Sequence, residues 1–273
     1  MKKNYLKDKI KEVIRLKRGI LVTSFGTTYA ETRKLCIESI ENRIKEEFKE
    51  DLVLRAFTSG VVISRLKKRD NYFVDNPKEA LEKMKNEGIK DIYIQPLLLI
   101  KGHEYDKIFK HVDEFLENNK DINIKIGKPL LTSEIDYERS VEALEVQEDK
   151  EGQGMIFMGH GSDHNADISY EKLEQSFRNK GYESVFIGTV EGEKNLEEII
   201  IKLKEKNIKK VHLMPFMLVA GDHATNDMAS DEDDSWKTIL EQNHIEVDVE
   251  IKGIGQVKAI QDIFIDHLKD ILG

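Results

Sequence analysis

The sequence predicts an α/β protein of two similar doubly wound lobes with parallel sheets, related by internal duplication. Three observations point there. Short runs rich in Val, Ile and Leu alternate with longer segments of helical period. Three strand-end motifs recur in the same order in both halves. Between the halves lies Glu148 to Gly154 (EDKEGQG), a polar, glycine-containing stretch suited to a linker. The division predicts one lobe over residues 1–147 and a second over 148–273.

Eight runs read as strands. Those of the first half are Gly19 to Ser24, Leu52 to Thr58, Asp91 to Leu99 and Ile122 to Ile126. Those of the second are Gly154 to Gly159, Ser184 to Thr189, Lys210 to Pro215 and Glu246 to Lys252. Between the first two strands, Cys36, Ile37, Ile40, Ile44 and Phe48 recur three or four residues apart, so one helical stripe faces the sheet and the Glu and Lys residues face water. A later helix opens at Asn76-Pro77, an N-cap followed by proline at the first helical position, and stops at Gly88. The closing helix stacks Val257, Ile260, Phe264, Leu268 and Ile271 on one face.

The repeat is specific in register. IKDIYIQPLLLIKGHE from Ile89 lies against IKKVHLMPFMLVAGDH from Ile208, with Pro96 opposite Pro215 and Gly102 opposite Gly221. VTSFGTT at Val22 lies against FMGHGSD at Phe157, and FTSG at Phe57 against TVEG at Thr189. Chance likeness of apolar strands is the competing explanation, and three motifs in one order weigh against it.

In open α/β sheets the ligand crevice lies beyond the carboxyl ends of the strands, where these motifs fall. The second half presents His160, Glu191 and His223 there. The first half has Phe25, Ser59 and Glu104, with His103 one position earlier. Two imidazoles and a carboxylate from three neighbouring strand ends suit a borderline divalent ion such as Co²⁺, Ni²⁺, Fe²⁺ or Zn²⁺. Singly each is a weak signal: the glycines flanking His160 also serve packing, Glu191 also reads as a solvated helix-start acid, and His223 as an exposed loop residue.

Other residues carry less. His164 is separated from His160 by loop residues, which argues against a helical pair of ligands. His212 lies in a strand and reads as packed; His111, His244 and His267 read as surface residues of helices or turns. The acids Asp231 to Asp234 fit helix-start electrostatics before Trp236. The cluster Arg65, Lys67, Lys68 and Arg69 reads first as a solvated helix face, with an anionic substrate as the alternative.

Composition bounds the function. The 273 residues carry 43 Lys and Arg against 52 Asp and Glu, a net charge of −9 that argues against nucleic acid or an anionic membrane as partner. A single cysteine, Cys36, excludes an intramolecular disulfide and Cys-rich metal sites. Met1 to Gly19 has charges every two or three residues and no apolar stretch of a secretory signal. The longest apolar runs, Pro96 to Ile100 and Leu213 to Ala220, fall far short of the ~20 residues that cross a bilayer, so a cytoplasmic location is expected. No G-x-G-x-x-G after a strand, G-x-x-x-x-G-K-[ST], G-x-S-x-G or H-E-x-x-H is present, which removes the main support for nucleotide, serine-hydrolase and zincin readings.

Together SFGTT at Ser24, PLLLIKGHEYDKI at Pro96, MGHGS at Met158, TVEG at Thr189 and PFMLVAGDHATNDM at Pro215 resemble the anaerobic cobalt chelatases of cobalamin biosynthesis. These are small class II tetrapyrrole chelatases related to ferrochelatase, and the similarity runs from about Gly19 to the C-terminus. The resemblance implies a bilobal chelatase fold and ATP-independent insertion of Co²⁺ into sirohydrochlorin. It also implies metal ligation by His160, Glu191 and His223, with Glu104 at the acidic position of the G-x-E-Y segment after an added His103. His160 is the leading proton acceptor, because imidazole titrates near working pH. Phe25, Gly26 and the apolar Leu97 to Ile100 segment, Leu98 and Leu99 above all, are expected against the macrocycle, with Lys101, His103 and Glu104 near it. Apart from the divalent ion and the tetrapyrrole no cofactor is expected, and the oligomeric state is open, homo-oligomers included. The alternatives are a non-enzymatic metal- or tetrapyrrole-binding protein and a chelatase of the same class for nickel or iron.

Overall fold

A computed structural model describes residues 18–146 and 151–273. The leading Met1 to Lys17 and linker residues 148–150 lie outside the described residues. Gln153, expected in the linker, instead opens the strand predicted from Gly154, because it pairs with Lys210.

Each half forms a four-stranded parallel sheet. β1 (Gly19–Ser24), β2 (Leu52–Phe57), β3 (Asp91–Pro96) and β4 (Asn123–Ile126) take the order β2-β1-β3-β4. β5 (Gln153–Gly159), β6 (Val185–Thr189), β7 (Lys210–Pro215) and β8 (Glu246–Val249) take the order β6-β5-β7-β8. β1 and β7 have the predicted bounds. β5 is longer by Gln153, and the other strands are shorter than the apolar runs that announced them. Leu97, Leu98 and Leu99 leave the sheet after Pro96, and the Leu98 and Leu99 carbonyls accept from the Leu130 and Leu131 amides. These residues are apolar because they pack, not because they pair in the sheet. Thr58, Ile122, Ser184 and Glu250 to Lys252 also fall beyond the ladder.

The duplication is visible bond by bond. The Leu97 amide donates to Thr23 O as the Phe216 amide does to Met158 O; Thr58 N to Ser24 O matches Val190 N to Gly159 O; Gly127 N to Ile94 O matches Glu250 N to Leu213 O. Each pair joins residues aligned by the sequence repeat or the equivalent edge strand.

Burial on both sheet faces explains the continuous apolar strands. α1 (Ser39–Glu47), preceded by a π-helical segment Arg33–Glu38, shares one core with Ile20 and Val22 of β1 through Ile37, Ile40 and Ile44; buried Cys36 lies instead beside Gly253 and Gly255, and Phe48 is half-buried. α2 (Gly60–Asp70) follows β2. α3 (Pro77–Asn86) has the predicted start, with reciprocal Asn76 and Glu79 side-chain-to-backbone bonds, and Gly88 follows it at φ +79°. α3 and α4 (His103–Glu117) cover the outer face of the first sheet. In the second lobe α7 (Leu196–Glu205) and α8 (Trp236–Gln242) do the same. α5 (Glu134–Ala143) and α6 (Ile168–Asn179) pack on each other between the halves.

The closing helix α9 (Lys258–Leu272) crosses over to pack on β3 and α5 of the first half. Its Ile260, Phe264 and Leu268 join Ile20 and Phe57 of one sheet and Phe157 and Phe216 of the other in a single apolar core. The crossing corrects the surface expectation for His267, which is 4% exposed; its Nε2 meets Asp136 Oδ1 at 2.9 Å. His244 is exposed and His111 half-buried. No described helix is long and apolar enough to cross a membrane.

Candidate metal centre

His160 follows the last residue of β5, and Glu191 stands two residues beyond β6. The two turns touch through Gly161, whose φ of +79° suits glycine and whose missing Cβ would lie 2.3 Å from the Gly192 nitrogen. The Glu191 amide donates to His160 O at 2.8 Å. Asp167, nearly buried, fastens both turns by accepting the Ser162 amide at 2.9 Å and the Glu193 amide at 3.1 Å. Beneath them lies Tyr170; burial pushes its hydroxyl up to about 12, so it is a neutral packing residue at working pH. His223 arrives from β7 through Gly221-Asp222 and heads a second π-helical turn, Ala224–Met228. Such turns are rare and concentrate at functional sites.

These elements bring His160, Glu191 and His223 together. One ligand atom from each lies within 4.8 Å of the others, and among the described residues this is the cluster of His, Cys, Asp and Glu with metal-holding geometry. The two imidazoles meet edge to face, centroids 4.7 Å apart, and Glu191 Oε2 is 3.7 Å from His160 Nδ1. His160 Nδ1 lies 2.9 Å from Gly161 O, which can only accept, so that nitrogen carries the proton. His223 Nδ1 lies 2.5 Å from Asp227 Oδ2 and is protonated by the same reasoning. Both Nε2 atoms then keep a lone pair for a cation. The side chains are 47%, 59% and 33% exposed, which leaves the site open to a large substrate.

The remaining predicted residues take other places. Phe25, 49% exposed, caps β1, and Gly26 has φ +92° with Phe57 where a Cβ would stand. Leu98 and Leu99 are half-buried and Lys101 exposed, whereas Leu97 is sealed in the core and unavailable to a ring. Glu104 accepts from Thr58 and Lys107. His103 pairs across the lobes with Asp163 at 2.7 Å, and His164 returns the contact with Asp106 at 3.4 Å. On the other side Tyr29 donates to Asp222 at 3.1 Å. Of the basic cluster on α2, Arg69 binds Asp70 and Thr28 O, and Lys67 lies over Phe73. His212 is not packed as expected: half-exposed, it bridges Asp248 and Glu250 on the outer strand and beyond. Sequence reasoning missed Asp227 and Asp167. The spacing of four from His223 to Asp227 was the available signal; Asp167, acting from a loop on backbone amides, had none.

Comparisons with known proteins bear on the family and the fold. The family model described as Cobalt chelatase (CbiK) matches residues 18–273. The chain is 37% identical over 259 residues to the sirohydrochlorin cobaltochelatase of Salmonella typhimurium, covering 94% of this chain and 97% of that one. It is 33% identical over 259 residues to the sirohydrochlorin cobaltochelatase CbiKC of Nitratidesulfovibrio vulgaris, covering 92% and 89%. The fold is shared with SirB from Bacillus subtilis with Fe³⁺, at a TM-score of 0.67, 15% identity and coverage of 93% and 95%.

Proposed function

The chain belongs to the cobalt chelatase (CbiK) family, and from that premise we propose how its own residues insert Co²⁺ into sirohydrochlorin. The reaction is a sirohydrochlorin cobaltochelatase reaction of anaerobic cobalamin biosynthesis and needs no ATP. The observation that carries the residue assignment is the convergence of His160, Glu191 and His223 within one ligand sphere. Insertion demands that an aquated ion shed water and that two pyrrole N–H protons leave. Two neutral imidazoles and one carboxylate replace part of the water shell while leaving positions open toward the ring. As the ring nitrogens take over the ion, His160 Nε2 becomes free to accept one pyrrole proton; the exposed Glu191 carboxylate passes the other to water. General-base help of this kind is worth about 10²–10⁴-fold. Phe25 and Leu99 are assigned to the ring face, and Lys101 to its peripheral carboxylates. We place the reaction in the cytoplasm.

The nitrogen and oxygen donor set also suits Ni²⁺, Fe²⁺ and Zn²⁺. A competition assay with sirohydrochlorin, scored by initial rate for each ion, tests the choice of metal. Product in excess of protein, followed by the visible spectrum, is expected for Co²⁺. A change that stops at one equivalent would instead identify a non-enzymatic binding protein.

A further inference from the structure

The two imidazoles are backed unequally. His160 Nδ1 faces a neutral peptide carbonyl, Gly161 O at 2.9 Å, whereas His223 Nδ1 faces a carboxylate, Asp227 Oδ2 at 2.5 Å. A carboxylate behind a ligating histidine fixes its tautomer and ring orientation and strengthens its other nitrogen as a donor; a peptide carbonyl orients the ring with less electronic gain. From this asymmetry we infer that Asp227 is a positioning residue that makes His223 the holding ligand and leaves His160 as the ligand that lets the ion go. The inference rests on the metal site proposed above. Asp227 belongs to the π-helical turn that His223 heads, and the start of that turn is pinned by Asp222, which accepts from Tyr29 of the first lobe and from Asn226. In the first lobe the residue aligned with Asp227 is Ile108, fully buried, so the backing carboxylate belongs to the metal-bearing copy alone.

The division of labour gives the exchange an order. The bond from the ion to His160 Nε2 breaks as a bond to a ring nitrogen forms. The lone pair so released takes the proton of a pyrrole N–H, whose electron pair stays on the ring nitrogen. His223 keeps its bond until the second proton has left to water.

Co²⁺ titrations, read by calorimetry and by the ligand-field absorption of the ion, test this together with initial rates at varied Co²⁺. Asp227→Ala is expected to weaken Co²⁺ binding about 10–100-fold, with the loss in KM for Co²⁺ and kcat retained at saturating metal. Asp227→Asn, which keeps an acceptor oxygen for Nδ1–H, should fall between it and the unsubstituted protein. His160→Ala should lose more in kcat than in affinity. If Asp227→Ala binds Co²⁺ unchanged, or loses only kcat, while His223→Ala loses binding, the role of Asp227 is wrong and the metal site stands. If His160→Ala and His223→Ala both bind Co²⁺ unchanged, the metal site itself is wrong. Should the alanine variant fail to fold, Asp227→Asn decides alone: weakened binding supports the role, and unchanged binding overturns it.

Discussion

The first and second lobes share a strand order and matching hydrogen bonds at their strand ends, but the side chains hung there have opposite fates. Where the second lobe aims His160, Glu191 and His223 at one point, the first has Phe25, Ser59 and Glu104. Ser59 is spent as the N-cap of α2, accepting the Val62 amide at 3.3 Å. Glu104 is held by Thr58 and Lys107. The backbone geometry is therefore shared, and what differs is which strand-end side chains converge on one point.

The sharpest way to break this contrast is to remove the imidazoles. His160→Ala and His223→Ala should each lower the initial rate of cobalt insertion by about 10²–10⁴-fold, with circular dichroism unchanged. Wild-type turnover in both would end the assignment. Glycines at aligned positions come next. Gly161→Ala should cost about 1–3 kcal/mol in chemical denaturation and weaken Co²⁺ binding, because a methyl there meets the backbone of Gly192. Gly26→Ala meets only the Phe57 ring and should destabilise the first lobe while sparing Co²⁺ affinity in calorimetry.

A smaller effect concerns the contact that joins the halves. Burial alone would raise the Asp136 carboxyl, but hydrogen bonds from Ser133 and His267 hold it below its usual range. A carboxyl depressed on folding contributes stability that is complete above the unfolded value of about 3.9 and is lost as pH falls through the lower folded value. Thermal midpoints should therefore drop on acidification below about pH 4. Asp136→Asn should flatten that limb and cost about 1–3 kcal/mol at neutral pH. Last, Phe25→His should leave Co²⁺ stoichiometry at that of the unsubstituted protein, because Glu104 stays engaged; a second tight equivalent would show that one side chain alone separates the lobes.

Much of this was legible in the chain. β1 and β7 were readable to the residue, since apolar runs covered on both faces end where glycine, proline or polar residues begin. The three candidate ligands emerged from the repeat. What escaped detection depended on contacts distant in sequence or made with backbone. His267 looked like a surface residue because α9 was read with one apolar stripe, whereas its crossing onto the first half buries a second side, Ile263 and His267. His212 looked packed because strand position alone does not reveal the carboxylates of Asp248 and Glu250 beside it. Asp167 acts on amides that sequence spacing does not locate.

The path of α9 makes the two halves interdependent. The helix that ends the second lobe roofs the sheet of the first, while the helix that ends the first lies against α6 of the second. Either half alone would leave apolar surface uncovered where the other half's helix now lies.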